Sequence, residues 1–152
     1  MNEYEPDKKE GIFYEETAGK NFTQYLKMVR GNEKGLYLPK GFIPCSAFWL
    51  VDEKNFIGSV SFRHKLTPYL KKFGGHIGYS IRPSKRNKGH GKQMLALTLK
   101  KIRPFKLKKV LITCDEDNVG SQKVIQANGG ILQDITANKG HEKRTMRWWI
   151  KL

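Results

Sequence analysis

The sequence predicts a single α/β domain, a mixed sheet with helices layered on its faces. The 152 residues suffice to bury one sizeable core and are too few for two ordinary domains. Hydrophobic residues make up 38% of the chain, with 8 Phe, 6 Tyr and 3 Trp, a globular rather than disordered composition. The order of periodic segments then settles the layering. An N-terminal hairpin is followed from Gly75 onward by strand, glycine turn, helix, strand, helix, strand and strand, the order of a sheet covered by helices.

Each element has its own signal. Residues 1–16 hold six of the fourteen acidic residues, with only Ile12, Phe13 and Tyr14 as anchors, so they read as an acidic, partly disordered arm attached to a domain spanning residues 17–152. Residues 17–29 place Phe22, Tyr25, Leu26 and Val29 at helical spacing, and Gly31 with Gly35 ends the pattern. Residues 47–51 and 56–62, joined by 52–55, read as two strands of a hairpin, and 66–73, containing Pro68, as a connection. Residues 75–81 alternate small or polar residues with Ile77, Tyr79 and Ile81, a strand that Pro83 ends. Residues 91–102 place Met94, Leu95, Thr98, Leu99 and Ile102 on one helical face before Pro104. A buried strand at 110–113 follows, then a helix at 118–127 with Val124 and Ile125 inward and Asn128-Gly129 as a left-handed cap, then strands at 131–135 and 144–152.

Composition excludes several classes. No apolar run approaches the ~18 residues that span a bilayer, and the N-terminus is acidic where a signal peptide is basic then apolar; a soluble, cytoplasmic protein is expected. Cys45 and Cys114 have neither CxxC spacing nor the neighbours of a zinc site, so no metal is expected. The net charge is +15, and from Lys54 to Cys114 there is no Asp or Glu among sixteen Lys and Arg. Such a stretch suits an anionic partner, although general solubility accounts for a charge excess equally well.

Arg86-Asn87-Lys88-Gly89-His90-Gly91-Lys92 lies between a strand and a helix. Helix N-terminal N–H groups are unpaired and sit at the positive end of the dipole. Glycines at 89 and 91 let a phosphate approach them, and Arg86, Lys88 and Lys92 frame the turn with charge. The spacing is neither that of a P-loop nor GxGxxG, and by itself it also fits a plain tight turn. With its context, residues 81–91 resemble motif A of the GNAT superfamily of N-acetyltransferases, Arg or Gln followed by x-x-Gly-x-Gly or Ala. Asn118-Val119-Gly120-Ser121 through Gly130 resembles its motif B helix. Residues 46–51, 74–79 and Arg147-Trp148-Trp149-Ile150 are similar to one bacterial branch of predicted acetyltransferases, and the likeness covers about residues 36–150.

The resemblance implies a single-domain GNAT-like fold, a mostly antiparallel sheet with splayed central strands and helices on both faces. It implies acetyl-CoA as co-substrate in the splay, with Ile81 hydrogen-bonding pantetheine, the turn formed by Arg86, Asn87, Lys88, Gly89, His90, Gly91 and Lys92 holding pyrophosphate, and Asn118 and Ser121 contacting the cofactor arm. The implied activity is acetyl transfer to an unspecified primary amine by direct attack, in a monomer or homodimer without membrane contact. Where many members carry a Tyr general acid this chain has Ile125, and no first strand precedes the helix at 17.

Amine acetylation needs a neutral amine, a stabilised oxyanion and a proton for the leaving sulfur. His76, on the strand entering the turn, can serve as base or as a plain sheet histidine. Glu116, with Asp115 and Asp117, follows the next strand, where α/β sites gather; Glu116 can orient or deprotonate an amine, while Asp117 also fits as a helix cap. His64 is a weaker candidate, and Cys114 fits a small buried hydrophobe. Two alternatives remain open, a CoA-binding regulatory protein without turnover and a basic nucleic-acid-binding module stacking bases on Phe73, Tyr79, Trp148 and Trp149.

Overall fold

The computed structural model describes residues 21–36, 38–53, 55–137 and 142–152; the arm at 1–16 and the expected helix start at 17 lie outside them. Helix α1 (Phe22–Glu33) is opened by a capping box, the Asn21 side chain accepting from Gln24 N while the Gln24 side chain accepts from Asn21 N. Strands β1 (Cys45–Asp52) and β2 (Asn55–Arg63) form the expected hairpin. Helix α2 (Pro68–Lys72), strand β3 (Ile77–Ile81), helix α3 (His90–Lys101), strand β4 (Lys109–Asp115), helix α4 (Val119–Gln126) and strands β5 (Ile131–Thr136) and β6 (Thr145–Lys151) complete the chain, with single 3-10 turns at Pro83–Lys85 and Arg103–Phe105.

Two sequence expectations are corrected. Gly31 does not end the first helix but is buried inside its last turn. Residues 68–72 are helical rather than a plain connection, because Thr67 caps Leu70 N and Pro68 occupies the first helical position, where its missing N–H costs nothing.

The sheet order is β1-β2-β3-β4-β6-β5. All neighbours are antiparallel except β3 and β4, which run parallel and share one registered pair, Ile77 with Ile112. Just before that pair the strands are joined by His76 N to Leu111 O at 2.7 Å. Beyond it, β3 and β4 share no further registered pair, so the sheet is split at its centre. The core lies on one face, where Val60, Phe62, Ile77, Ile112, Trp148 and Ile150 meet Met94 and Leu95 of α3 and Ile125 of α4. On the other face α1 packs on β1, with Tyr25 stacked on Trp49 at 5.4 Å, and α2 meets β6 where Arg147 donates to Lys71 O. Among the described residues no helix is long and apolar enough to cross a membrane.

Candidate functional site

The open end of the β3–β4 split leads into the turn that begins α3. Asn87 and Gly89 both take left-handed conformations, at φ 58° and 79°, which reverses the chain sharply enough to aim the helix start at the split. Gly89 caps α3 without any side-chain hydrogen bond, and no acidic residue stands in the first turn. Gln93 N reaches Gly89 O, so the N–H groups of His90, Gly91 and Lys92 precede the helical ladder and have no partner among the described residues. Uncapped donors at the positive end of a 12-residue helix form an anion seat.

The two glycines of the turn do different work. A Cβ on Gly89 would meet nothing within 4 Å, whereas a Cβ on Gly91 would lie 3.0 Å from Val124 Cγ2 on α4. Gly91 therefore also lets α3 and α4 pack closely, a role the sequence reading did not give it. Lys88 and Lys92 are exposed around the seat. Arg86 turns back, its Nε donating to Ile81 O at 3.0 Å, and so ties the head of the turn to the end of β3.

Helix α4 forms the far wall. Its cap is Asn118, whose Oδ1 accepts from Ser121 N at 2.9 Å, not Asp117, which pairs with Lys143 at 2.7 Å. Ser121 faces β3, and its Oγ lies 2.8 Å from the Tyr79 hydroxyl. Burial pushes the Tyr79 phenol up to about 12. Ile125, expected to face the sulfur, is instead wholly buried in the core, because Ser121 and Val124 take the cleft side of this short helix. Cys114 is also buried, its thiol pushed up by desolvation.

His76 and Glu116 are not brought together. His76 lies at the closed end of the split, 6% exposed, and its Nδ1 accepts the Leu111 N–H at 2.9 Å. Burial, assisted by the Arg63 charge, holds its imidazole down at about 4, so it is neutral at physiological pH. Glu116 follows β4, where Arg144 Nε donates to it at 2.8 Å and Arg144 N at 3.3 Å; these bonds lower its pKa. His64 lies away from the split, its Nε2 2.8 Å from Ser46 Oγ, which donates to Glu33. Tyr79 and Trp148 pack with the core, Trp148 buried, so neither offers the base-stacking face a nucleic-acid module needs.

Two features escaped sequence reasoning. One is the Tyr79–Ser121 hydroxyl pair, which joins residues 42 apart and has no local signal. The other is Arg63 on the α1/α2 face, which the alternation Ser59, Ser61, Arg63 against Val60 and Phe62 does signal: small polar residues leave room around a cation on one side of the strand.

A sheet split between parallel strands, beside an uncapped helix start, is an α/β arrangement suited to an anionic ligand. The family model for the acetyltransferase (GNAT) domain matches residues 20–131; the chain belongs to the GNAT family and is by that membership an N-acetyltransferase. It is similar to the ribosomal-protein-S5-alanine acetyltransferase from Vibrio fischeri, at 20% identity over 85% of this chain and 69% of that one, TM-score 0.63. It is also similar to RimL, a ribosomal L7/L12 alpha-N-protein acetyltransferase in complex with coenzyme A, at 19% identity over 88% and 74% of the two chains, TM-score 0.61. An acetyltransferase from Bacillus subtilis in complex with CoA aligns at 14% identity over 71% and 77%, TM-score 0.57. A comparison with curated proteins found no match.

Proposed function

We propose that this chain moves an acetyl group from acetyl-CoA to a primary amine by direct attack in a ternary complex. One observation carries the reading: β3 and β4 part after a single registered pair, beside a helix whose first N–H groups nothing caps. The donors fit the co-substrate, since CoA carries about four negative charges that Lys88, Lys92 and the His90–Lys92 amides complement. When bound, acetyl-CoA supplies a thioester carbonyl for the amine and a thiolate leaving group. The β4-facing side of β3 beyond Ile77, where no registered pair with β4 follows, offers backbone groups to the amides of the pantetheine arm, and Asn118 caps the helix that follows β4.

Neither His76 nor Glu116 is free to act as general base in this arrangement. His76 at about 4 is too weak a base for an ammonium ion and is engaged with Leu111, and Glu116 is held by Arg144. We assign both to positioning, His76 to the closed end of the split and Glu116 to the loop between β4 and α4. The amine then enters already neutral. That requirement suits an α-amine, which titrates near ~8, far better than a lysine side chain near ~10.4, and alpha-N-acetylation is the activity of the similar RimL. Tyr79 lends a hydrogen bond but not a proton, because a phenol at about 12 gives up a proton only uphill to a thiolate whose acid titrates near ~8.5. The sulfur leaves as thiolate and takes up, through water, the proton that the attacking nitrogen sheds.

The test is release of free CoA thiol and acetylated product, by mass, with a panel of α- and ε-amines. Transfer to α-amines is expected, with KM for acetyl-CoA raised at least ~10-fold in a Lys88→Glu, Lys92→Glu variant. Acetyl-CoA binding with no transfer to any amine would instead favour a CoA-binding regulatory protein.

A further inference from the structure

We propose that the cavity on the α1/α2 face of the sheet is the acceptor pocket, and that it selects an amine whose molecule also carries a carboxylate, received by Arg63. The proposal rests on the acetyl-transfer reading above and adds the substrate's chemistry. The cavity encloses about 290 Å³ between the end of α1, the loop at 38–43, the start of β1, the end of β2 and α2, close to the low end of small-molecule sites.

Two of its lining groups are incomplete without a ligand. The Arg63 side chain is half-buried and uses Nη1 to hold Gly74 O at 3.0 Å and Gly75 O at 3.3 Å. Its Nε and Nη2 have no partner, and no carboxylate pairs with it, among the described residues. Desolvation accordingly pulls its pKa down. A desolvated cation without a counter-ion is costly, and an anion resolves it; the fork of a guanidinium matches a carboxylate in particular. Lys40 adds a second cation to the lining, which contains no Asp or Glu. Glu33 lies nearby but accepts from Ser46 Oγ at 2.8 Å.

The second group is Asn32, 4% exposed, whose Oδ1 has no hydrogen-bond partner among the described residues. A buried acceptor of this kind wants an N–H. A carboxylate for Arg63, an N–H for Asn32 and an apolar body against Leu38, Phe42, Ile43 and Leu70 together describe an amino acid, or the first residues of a peptide with an acidic side chain. Of the lining residues, Arg63 itself lies beside the split. Gly78 is the first residue of β3 past the registered pair, and a Cβ there would lie 3.7 Å from both Nη1 and Nη2 of Arg63. An acceptor anchored at Arg63 therefore stands beside the backbone where the strands begin to part, on the face opposite α3 and α4.

The experiment compares matched acceptors, leucine with 3-methylbutylamine and an Asp-initiated peptide with its Asn counterpart. It measures kcat/KM by CoA release and, separately, equilibrium binding by calorimetry without acetyl-CoA. Carboxylated acceptors should be favoured at least ~10-fold, through Arg63, as a charge-assisted bidentate contact allows. In an Arg63→Gln variant that preference should vanish with acetyl-CoA affinity unchanged. A Leu38→Trp variant, which narrows the cavity and keeps the Arg63 side chain, should weaken leucine binding to the same degree and guards against misfolding of the first. A preference for leucine assigns the carboxylate to a free amino acid, and one for the Asp-initiated peptide to a protein terminus. Equal handling of all the matched pairs, or a preference that survives in folded Arg63→Gln, would overturn the pocket. Failure of acetyl-CoA itself to bind would sink the transfer reading alone, because calorimetry with leucine and the Asp-initiated peptide still decides the pocket.

Discussion

Replacing His76 by Gln should flatten the acid side of the stability curve. In the folded chain the imidazole is 6% exposed and accepts the Leu111 N–H, and its pKa falls from 6.5 to about 4, by desolvation first and the Arg63 charge second. The folded value lies below the unfolded one, so as pH falls the unfolded chain takes up this proton before the folded chain does. The stabilisation from a neutral His76 is complete above about pH 6.5, is lost progressively on the way down to about pH 4, and changes no further below that. A gap of about 2.5 pH units at ~1.4 kcal/mol each sets a ceiling of ~3.5 kcal/mol, which solvent access reduces toward ~2 kcal/mol. Glutamine keeps a carbonyl that can accept from Leu111 and does not titrate. Urea unfolding followed by circular dichroism across that pH range should show the wild type losing about 2–3 kcal/mol more than the variant. The depressed carboxylates Glu116 and Asp134 are common to both chains and cancel. Parallel curves would mean that His76 is not held neutral by the fold, and its assignment to positioning would fall with that.

Other substitutions separate the parts of the cleft. Gly91→Ala pushes a methyl against Val124 and should cost about 1–2 kcal/mol, a Tm drop of several degrees by calorimetry, whereas Lys88→Glu should leave Tm in place and weaken acetyl-CoA binding. Tyr79→Phe should keep turnover within a few fold of wild type, since the proton reaches the sulfur through water; a variant that binds acetyl-CoA normally and is catalytically dead would restore Tyr79 as acid. Glu116→Gln should likewise keep turnover within a few fold. The pH–rate profile should rise with the acceptor amine's own ionisation, and an acidic inflection, below the usual carboxylate range, that disappears in this variant would make Glu116 the base.

Much of the fold was readable because its signals are local. The hairpin, β3, α3 and β6 follow from period-2 and period-3.6 patterns ended by Pro83, Pro104 and Gly129. Gly31 misled because a glycine inside a helix looks like a stop until the surface it packs on is known. The Thr67-Pro68 start of α2 was present in the sequence, but the element is a single turn with few apolar positions to reveal it. The turn at 86–92 was legible as an anion seat, yet which glycine faces solvent and which faces α4 depends on helix packing that no local pattern encodes. The residues meant for catalysis were the least legible. A His on a strand and an acid after one are common, and only the partners Leu111 and Arg144, distant in sequence, decide what each is free to do.

The central claim is that acetyl-CoA lies in the β3–β4 split with its phosphates on the start of α3. Amide chemical shifts in a ¹⁵N-labelled sample titrated with acetyl-CoA test it residue by residue. Uncapped N–H groups that gain phosphate acceptors should move downfield. The account predicts large, saturable shifts at His90, Gly91 and Lys92, further shifts along Gly78–Ile81 and at Asn118, and little change at Arg63 or Asn32. Saturable binding whose shifts fall elsewhere, with the His90–Lys92 amides unmoved, would contradict it.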